Sequence, residues 1–344
     1  MPAAREVPEA AAACYRRAVS QAPAVFITAD IGSAAPSMVI GGLTVLERRL
    51  REAERGGAAR ALVACAGDLP RRPLAIAVER VAEGSAPPPG AEVVRADELC
   101  GVRLDGPAAA RAAEWKLLRG LPKSFQGPAD ALVNQHLSLR ITRLLCRTAI
   151  TPNQVTFAAL LVGLAAAVLL ARATTGSVAA AGALIFLQNL LDSCDGELAR
   201  LRYQFSALGQ WLDNIADDVV DAALMVGLGA AAGGMWLWLG LLAGAARVFT
   251  QLALYIQVRR LGGQFTRFRW WFEESVGTVD DLYDPRSPRT WLRSFARRDV
   301  YLLLWAVLCV AGVPVVAAAY ADVISLGYLV VTILHLVITA RRAG

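Results

Sequence analysis

Between residues 153 and 340 the chain strings together six apolar runs, at roughly 153–172, 178–201, 206–230, 234–258, 299–318 and 322–340. Each approaches the ~20 residues that an α-helix needs to cross a hydrocarbon core of ~30 Å. Such patterning excludes a wholly soluble globular protein and predicts an all-α, six-helix transmembrane domain over residues 151–344. The connections around 173–177, 231–233 and 319–321 contain no Lys or Arg, whereas the 259–298 loop contains many. Basic loops stay on the cytosolic side of a membrane. The expected arrangement is a multi-pass protein of the inner (cytoplasmic) membrane with its N-terminal half in the cytosol. No early basic segment runs into a short apolar stretch with a small-residue cleavage site, so a cleaved signal peptide is not expected.

Two pairs of aspartates interrupt the apolar pattern. Asp192 and Asp195 stand i,i+3 at the end of the second run, and Asp213 and Asp217 stand i,i+4 in the third. Each spacing puts a pair on one helix face. In the predicted orientation the second run ends and the third begins at the cytosolic face, so both pairs meet there. Ionisable side chains at membrane depth are costly unless paired, solvated or metal-bound, which makes them functional candidates. Converging carboxylates offer hard oxygen ligands suited to Mg²⁺, Mn²⁺ or Ca²⁺. A solvated helix end or a salt-bridge network is the alternative reading.

Written out, the block is Asp192-x2-Asp195-Gly196-x2-Ala199-Arg200-x8-Gly209-x3-Asp213-x3-Asp217. It resembles the signature of the CDP-alcohol phosphotransferases, integral-membrane enzymes that move a phospho-alcohol from CDP onto a second alcohol and release CMP. All eight fixed positions match over 26 residues. The resemblance implies a CDP-alcohol donor, an alcohol acceptor, surrounding membrane lipids, a homodimer, and one or two Mg²⁺ or Mn²⁺ ions. It implies Asp192, Asp195 and Asp213 as metal ligands and Asp217 as general base or shared ligand. Gly196 and Ala199 are small enough for a nucleotide to approach the backbone, Arg200 can bind phosphate, and Gly209 lets two helices close together. Within TPNQVT (151–156), Asn153 and Thr156 are either CDP contacts or caps of the first membrane helix. Many members carry a basic residue after the last motif aspartate; here stands Asp218, with Asp221 four residues after Asp217.

The net charge of +6 invites a nucleic-acid reading, but the arginines cluster beside apolar runs, as at Arg259, Arg260, Arg297, Arg298, Arg341 and Arg342. That pattern points to anionic headgroups, not nucleic acid. Arg200, Arg202, Arg259 and Arg260 are the cations available to a phosphate-bearing substrate at the cytosolic face. The six cysteines are scattered without a CxxC pair, which indicates neither a zinc site nor a disulfide framework. His335 reads as a hydrogen-bonded interior residue and His136 as a surface one. Trp270, Trp271 and Phe272 read as an interfacial anchor or part of a lid.

Residues 1–110 read as a small cytosolic α/β domain, so the chain is multi-domain. Strands are predicted at 24–30, 60–66, 74–80 and 91–96, with a helix at 42–55 that turns an arginine-rich face outward. SAPPPGA is a loop. This order resembles the start of a sugar-nucleotide-type nucleotidyltransferase, yet the glycine-bearing loop DIGSAAPSMVIGG lacks the cations that would hold a triphosphate. A reduced, inactive relative is the expectation, with an unrelated α/β domain as the alternative. Residues 111–150 read as a connector and an amphipathic helix, with Leu132, Leu139, Ile141, Leu144 and Leu145 set against Arg140, Arg143 and Arg147, which suits the inner-leaflet interface; a plain surface helix of the soluble domain is the alternative. A nucleotidyltransferase-like domain ahead of a membrane enzyme resembles the di-myo-inositol phosphate phosphate synthase branch. That branch implies a polar donor such as CDP-inositol; CDP-diacylglycerol and a catalytically silent scaffold are the alternatives.

Overall fold

The computed structural model describes residues 24–121, 129–260, 270–271 and 294–343. The lead-in at 1–22, the end of the connector and most of the 259–298 loop, Phe272 included, lie outside the described residues. Two units form: residues 24–121 with 139–150 and 197–205, and the remaining described residues.

In the first unit, β1 (Ala24–Thr28) is followed by the short β2 (Val39–Ile40) and β3 (Leu43–Thr44), then α1 (Val45–Arg55), β4 (Arg60–Ala64), β5 (Ala77–Arg80) and β6 (Glu92–Arg95). Strands β1, β4, β5 and β6 build one parallel sheet in the order β5-β4-β1-β6. A hairpin of β7 (Glu98–Leu99) and β8 (Val102–Arg103) and helix α2 (Pro107–Arg119) complete the domain. Parallel strands need a crossover, and α1 supplies it between β1 and β4. Its Leu46, Leu50 and Ala53 pack on Val25, Ile27, Ala61 and Val63. Thr44 starts α1 by accepting the Glu47 N–H at 3.1 Å, the cap that a Thr-x-x-Glu sequence promises.

Gly41 and Gly42, with φ of +60° and +79°, make the two-residue turn between β2 and β3. Positive φ at both central residues is what a twisted hairpin of this length requires. A Cβ on Gly42 would also come within 2.5 Å of the Cys146 carbonyl oxygen. These glycines therefore have a turn and a close approach to explain them. At the C-terminal end of the sheet, Arg95 binds both Asp30 and Asp97, and Arg103 binds Asp30. Burial alone would raise the Asp97 carboxyl. The hydrogen bond from Arg95 and the Asp30 N–H at 3.2 Å outweigh it and hold that carboxyl below the usual carboxylate range.

A π-turn at Asp130–Asn134 leads into α3 (Gln135–Leu145). The buried face is small and polar, with Asn134, Ser138 and Thr142 beside Leu139. Leu132, Leu137 and Leu144 share the exposed side with Arg140 and Arg147. Leucines and arginines thus share the exposed side, while Leu139 is buried and Ile141, Arg143 and Leu145 are half-buried.

The helical unit contains α4 (Pro152–Ala171), α5 (Thr175–Leu201), α6 (Ala207–Ala232), α7 (Met235–Arg260), α8 (Arg298–Val310) and α9 (Pro314–Ala343). Four of them, α4, α5, α7 and α9, are long and apolar enough to cross a bilayer. Helix α6 has 26 residues but carries four aspartates. Helix α8, with 13 residues, rises only ~20 Å and falls short of a full crossing. The expected fifth and sixth spans are thus redrawn. Gly312, at φ +76°, and Pro314 break the helix after Val310, well before residue 318. Leu224, Met225, Trp305, Ala306 and Ala317 are among the residues of the shared core. Helices α6 and α7 approach closely where Gly229 meets Gly240; a Cβ on Gly240 would lie 2.7 Å from the Met225 carbonyl oxygen. Small residues permit such backbone approach between apolar helices.

Candidate active site

The motif aspartates divide between two helices, Asp192 and Asp195 on α5 and Asp213 and Asp217 on α6. Carboxylate oxygens of Asp192, Asp213 and Asp217 all lie within 4.8 Å of one another. Three half-buried hard oxygen donors on two helices fit a divalent cation of the Mg²⁺ class. The fourth acid is engaged differently. Asp195 is buried and its Oδ2 accepts the hydroxyl proton of Thr156, which comes from the second turn of α4.

Thr156 is buried, with its hydroxyl turned to Asp195. Capping falls to Gln154, whose Oε1 accepts the Thr151 N–H at 2.9 Å. Asn153 is exposed and stands over Gly209, where an added Cβ would lie 3.0 Å from Asn153 Oδ1. Gly209 sits in the first turn of α6 and donates its N–H to the N-cap hydroxyl of Ser206 at 2.9 Å. The close approach expected of Gly209 is thus to the start of α4. Gly196, Ala199 and Arg200 follow on the last two turns of α5. Arg202 is not available to a substrate. It is buried, and its guanidinium donates to the carbonyl oxygens of Ile150 at 2.6 Å, Leu145 at 3.0 Å and Thr148.

Arg298, expected to face anionic headgroups, lies among the acids instead. Its Nη1 donates to Asp192 Oδ2 at 2.9 Å, its Nη2 lies 2.9 Å from Asp217 Oδ1, and its Nε donates to Asp221 Oδ1 at 3.2 Å. Behind it, Arg247 bridges Asp218 at 3.0 Å and Asp221 at 2.8 Å. Gln251 and Tyr255 also donate to Asp218, and Tyr301 donates to the fully buried Asp221. Asp218 and Asp221 are therefore neutralised members of an ion-pair network. Arg247, Gln251 and Tyr255 stand i, i+4 and i+8 on α7, so one helix face carries all three. A lone arginine inside an apolar run was the signal that could have found them. Arg298, in a basic pair at a helix start, looks the same whether it faces lipid or acid.

His335 behaves as expected of an interior residue, lying 3.0 Å from Gln257 Oε1 through Nε2 and accepting the Trp271 N–H at 3.2 Å through Nδ1. Trp270 packs edge-on against the same ring, with centroids 5.4 Å apart. His136 is exposed, and Cys65, Cys146, Cys194 and Cys309 are buried.

Residues 149–273 match the family model described as CDP-alcohol phosphatidyltransferase. The bifunctional IPC transferase and DIPP synthase of Thermococcus kodakarensis is 33% identical over 202 residues, which cover 57% of this chain and 43% of that protein. The protein of the same description from Rubrobacter xylanophilus is 33% identical over 232 residues, covering 65% of this chain and 46% of its own length. That of Archaeoglobus fulgidus is 36% identical over 98 residues, 28% of this chain and 19% of the relative. The chain thus spans less than half the length of these relatives. All four motif aspartates, and the helices that carry them, fall within residues 149–273, the stretch that matches the CDP-alcohol phosphatidyltransferase family model.

Proposed function

We propose that the chain transfers a phospho-alcohol group from a CDP-alcohol to an acceptor alcohol and releases CMP, with a polar donor such as CDP-inositol. The observation that carries this reading is the convergence of Asp192, Asp213 and Asp217 within the stretch that matches this family model. Attack on the phosphorus next to the donor's alcohol requires neutralising the pyrophosphate and activating the acceptor hydroxyl. Mg²⁺ or Mn²⁺ held by Asp192, Asp213 and Asp217 would polarise the phosphoryl oxygens and stabilise the departing CMP. Asp195, oriented by Thr156, joins this set as the acid nearest the start of α4. Asp217 takes the acceptor's proton, as a carboxylate within hydrogen-bond reach does in general-base catalysis. Asn153 and Gly209, facing each other, together with Gly196, Ala199 and Arg200, line the nucleotide's approach. The site faces the cytosol of an inner-membrane protein that works as a homodimer. The N-terminal domain is a reduced nucleotidyltransferase relative without nucleotidyl transfer of its own.

The preference for a polar donor rests on the likeness to relatives described as DIPP synthases. A second reading, a silent scaffold, has one observation in its favour: Arg298 already neutralises Asp192 and Asp217. The test is CMP release by detergent-purified protein offered CDP-inositol or CDP-diacylglycerol, each with inositol, inositol phosphate or glycerol phosphate. Turnover of CDP-inositol is expected. Turnover confined to CDP-diacylglycerol would overturn the donor, and none with any pair would favour the scaffold.

A further inference from the structure

Helix α5 ends in an unusual way. Its last carbonyls lack intrahelical partners, as at any helix end. The Gln204 N–H returns to the Ala199 carbonyl at 2.9 Å, closing the helix with a left-handed residue, and that residue is Tyr203 at φ +54°. Glycine or asparagine is the usual occupant of such a position, since a side chain there is strained. A strained conformation of this kind persists only where the surroundings over-determine it.

The surroundings are α1. Arg48, Glu52 and Arg55 stand i, i+4 and i+7, on one helix face. Arg48 is fully buried, against the outward arginine face expected of this helix. Its Nη1 donates to the Leu201 carbonyl at 3.0 Å, at the negative end of α5, and its Nη2 to the Ile40 carbonyl at 3.0 Å. Glu52 accepts the Tyr203 hydroxyl at 3.3 Å. Arg55 lies over the rings of Tyr203, 5.6 Å from its centroid, and Phe205, 4.7 Å away. Burial, then the Glu52 charge, pushes the Tyr203 phenol up to about 12, so it stays a donor at neutral pH. Arg202, the next residue back, is tied to the 145–150 turn. Thus Leu201, Arg202, Tyr203 and Phe205 are each held from outside α5, and these residues connect Arg200 of the motif to Gly209.

We propose that the N-terminal α/β domain is a positioning clamp for the transfer reaction: the Arg48–Glu52–Arg55 face of α1 fixes the left-handed turn through which the chain passes from the first half of the motif to the second. Arg48, Glu52 and Tyr203 are positioning residues and touch no substrate. This inference rests on the proposed transfer only for its consequence, and the clamp is measured without turnover.

The experiment is hydrogen–deuterium exchange on the full chain in detergent, paired with CMP release, for Arg48→Gln, Glu52→Gln, Tyr203→Phe and unmodified protein. Losing the charge-assisted hydrogen bond to the Leu201 carbonyl predicts exchange at residues 202–206 faster by about tenfold or more in Arg48→Gln. Amides of β1 and β4 should keep their protection. A misplaced motif predicts kcat/KM lower by about tenfold to a hundredfold. Arg48→Lys, which keeps the charge, should recover part of both. Should Arg48→Gln unfold the sheet, Tyr203→Phe, which removes only the hydroxyl that donates to Glu52, decides the matter by the same local exchange. Unchanged protection at 202–206 in the folded variants would overturn the clamp. Absence of CMP release by the unmodified chain would count against the transfer reading alone.

Discussion

The contact between Thr156 and Asp195 gives the sharpest single-residue test of how the site is built. Thr156→Val keeps the side chain's shape and removes the hydroxyl that donates to Asp195 Oδ2. The Pro152 carbonyl lies 3.2 Å from the same hydroxyl, but one proton serves one acceptor, and the charged one wins. A hydrogen bond to a charged group contributes about 1.5–3 kcal/mol. At about 1.4 kcal/mol per tenfold, the variant should lose roughly 10- to 150-fold. Because Asp195 is buried and Thr156 faces it, the loss should appear in kcat and in the Mg²⁺ concentration needed for half-maximal rate. The KM for the CDP-alcohol should stay close to the unmodified value. CMP release measured across a grid of Mg²⁺ and donor concentrations separates these parameters. A variant with unchanged metal dependence and a raised donor KM would refute the reasoning and return Thr156 to the nucleotide.

Asp217→Asn should cut turnover by about 10²–10⁴-fold, the usual worth of general acid–base help, while CDP binding survives; a near-native rate would move the base elsewhere. Arg247→Met removes the bridge between Asp218 and Asp221 and should destabilise the helical unit by about 3–5 kcal/mol, read as a lower unfolding temperature in detergent. Asp97 titrates below the usual range when folded, so its stabilisation is complete above about pH 4 and fades as pH falls through the lowered value. The stability deficit of Asp97→Asn should therefore be largest near neutral pH and shrink toward pH 3.

Much of the helical region and the motif could be read in advance because both are periodic. Asp213 and Asp217 share one face of α6 as their i,i+4 spacing implies, and Asp192 of α5 lies against them. The strands around Val25 and Val63 and the cap at Thr44 follow from local pattern and local chemistry. What escaped was decided by long-range partners. Arg298 and Arg202 belong to the same residue type at the same kind of helix boundary. One enters the acid group and the other closes a turn, and no local signal separates them from a headgroup contact. Gly41 and Gly42 could be taken for a phosphate-binding loop because a tight hairpin and a phosphate loop call on the same freedom at φ. The early end of α8 was visible in Gly312 and Pro314 but was masked by an apolar run that continues through them. Tyr203 is the extreme case, since a left-handed tyrosine has no sequence signal at all.

The central claim is that the grouped aspartates hold a divalent ion for release of CMP. It is tested most directly by the purified chain given CDP-inositol and inositol phosphate, with CMP followed over time in Mg²⁺, in EDTA, and in EDTA restored with excess Mg²⁺. Release in Mg²⁺, none in EDTA, recovery on restoration and a weakened Mg²⁺ response in Asp213→Asn are predicted. Full turnover in EDTA, or no CMP under any of the three conditions, would contradict it.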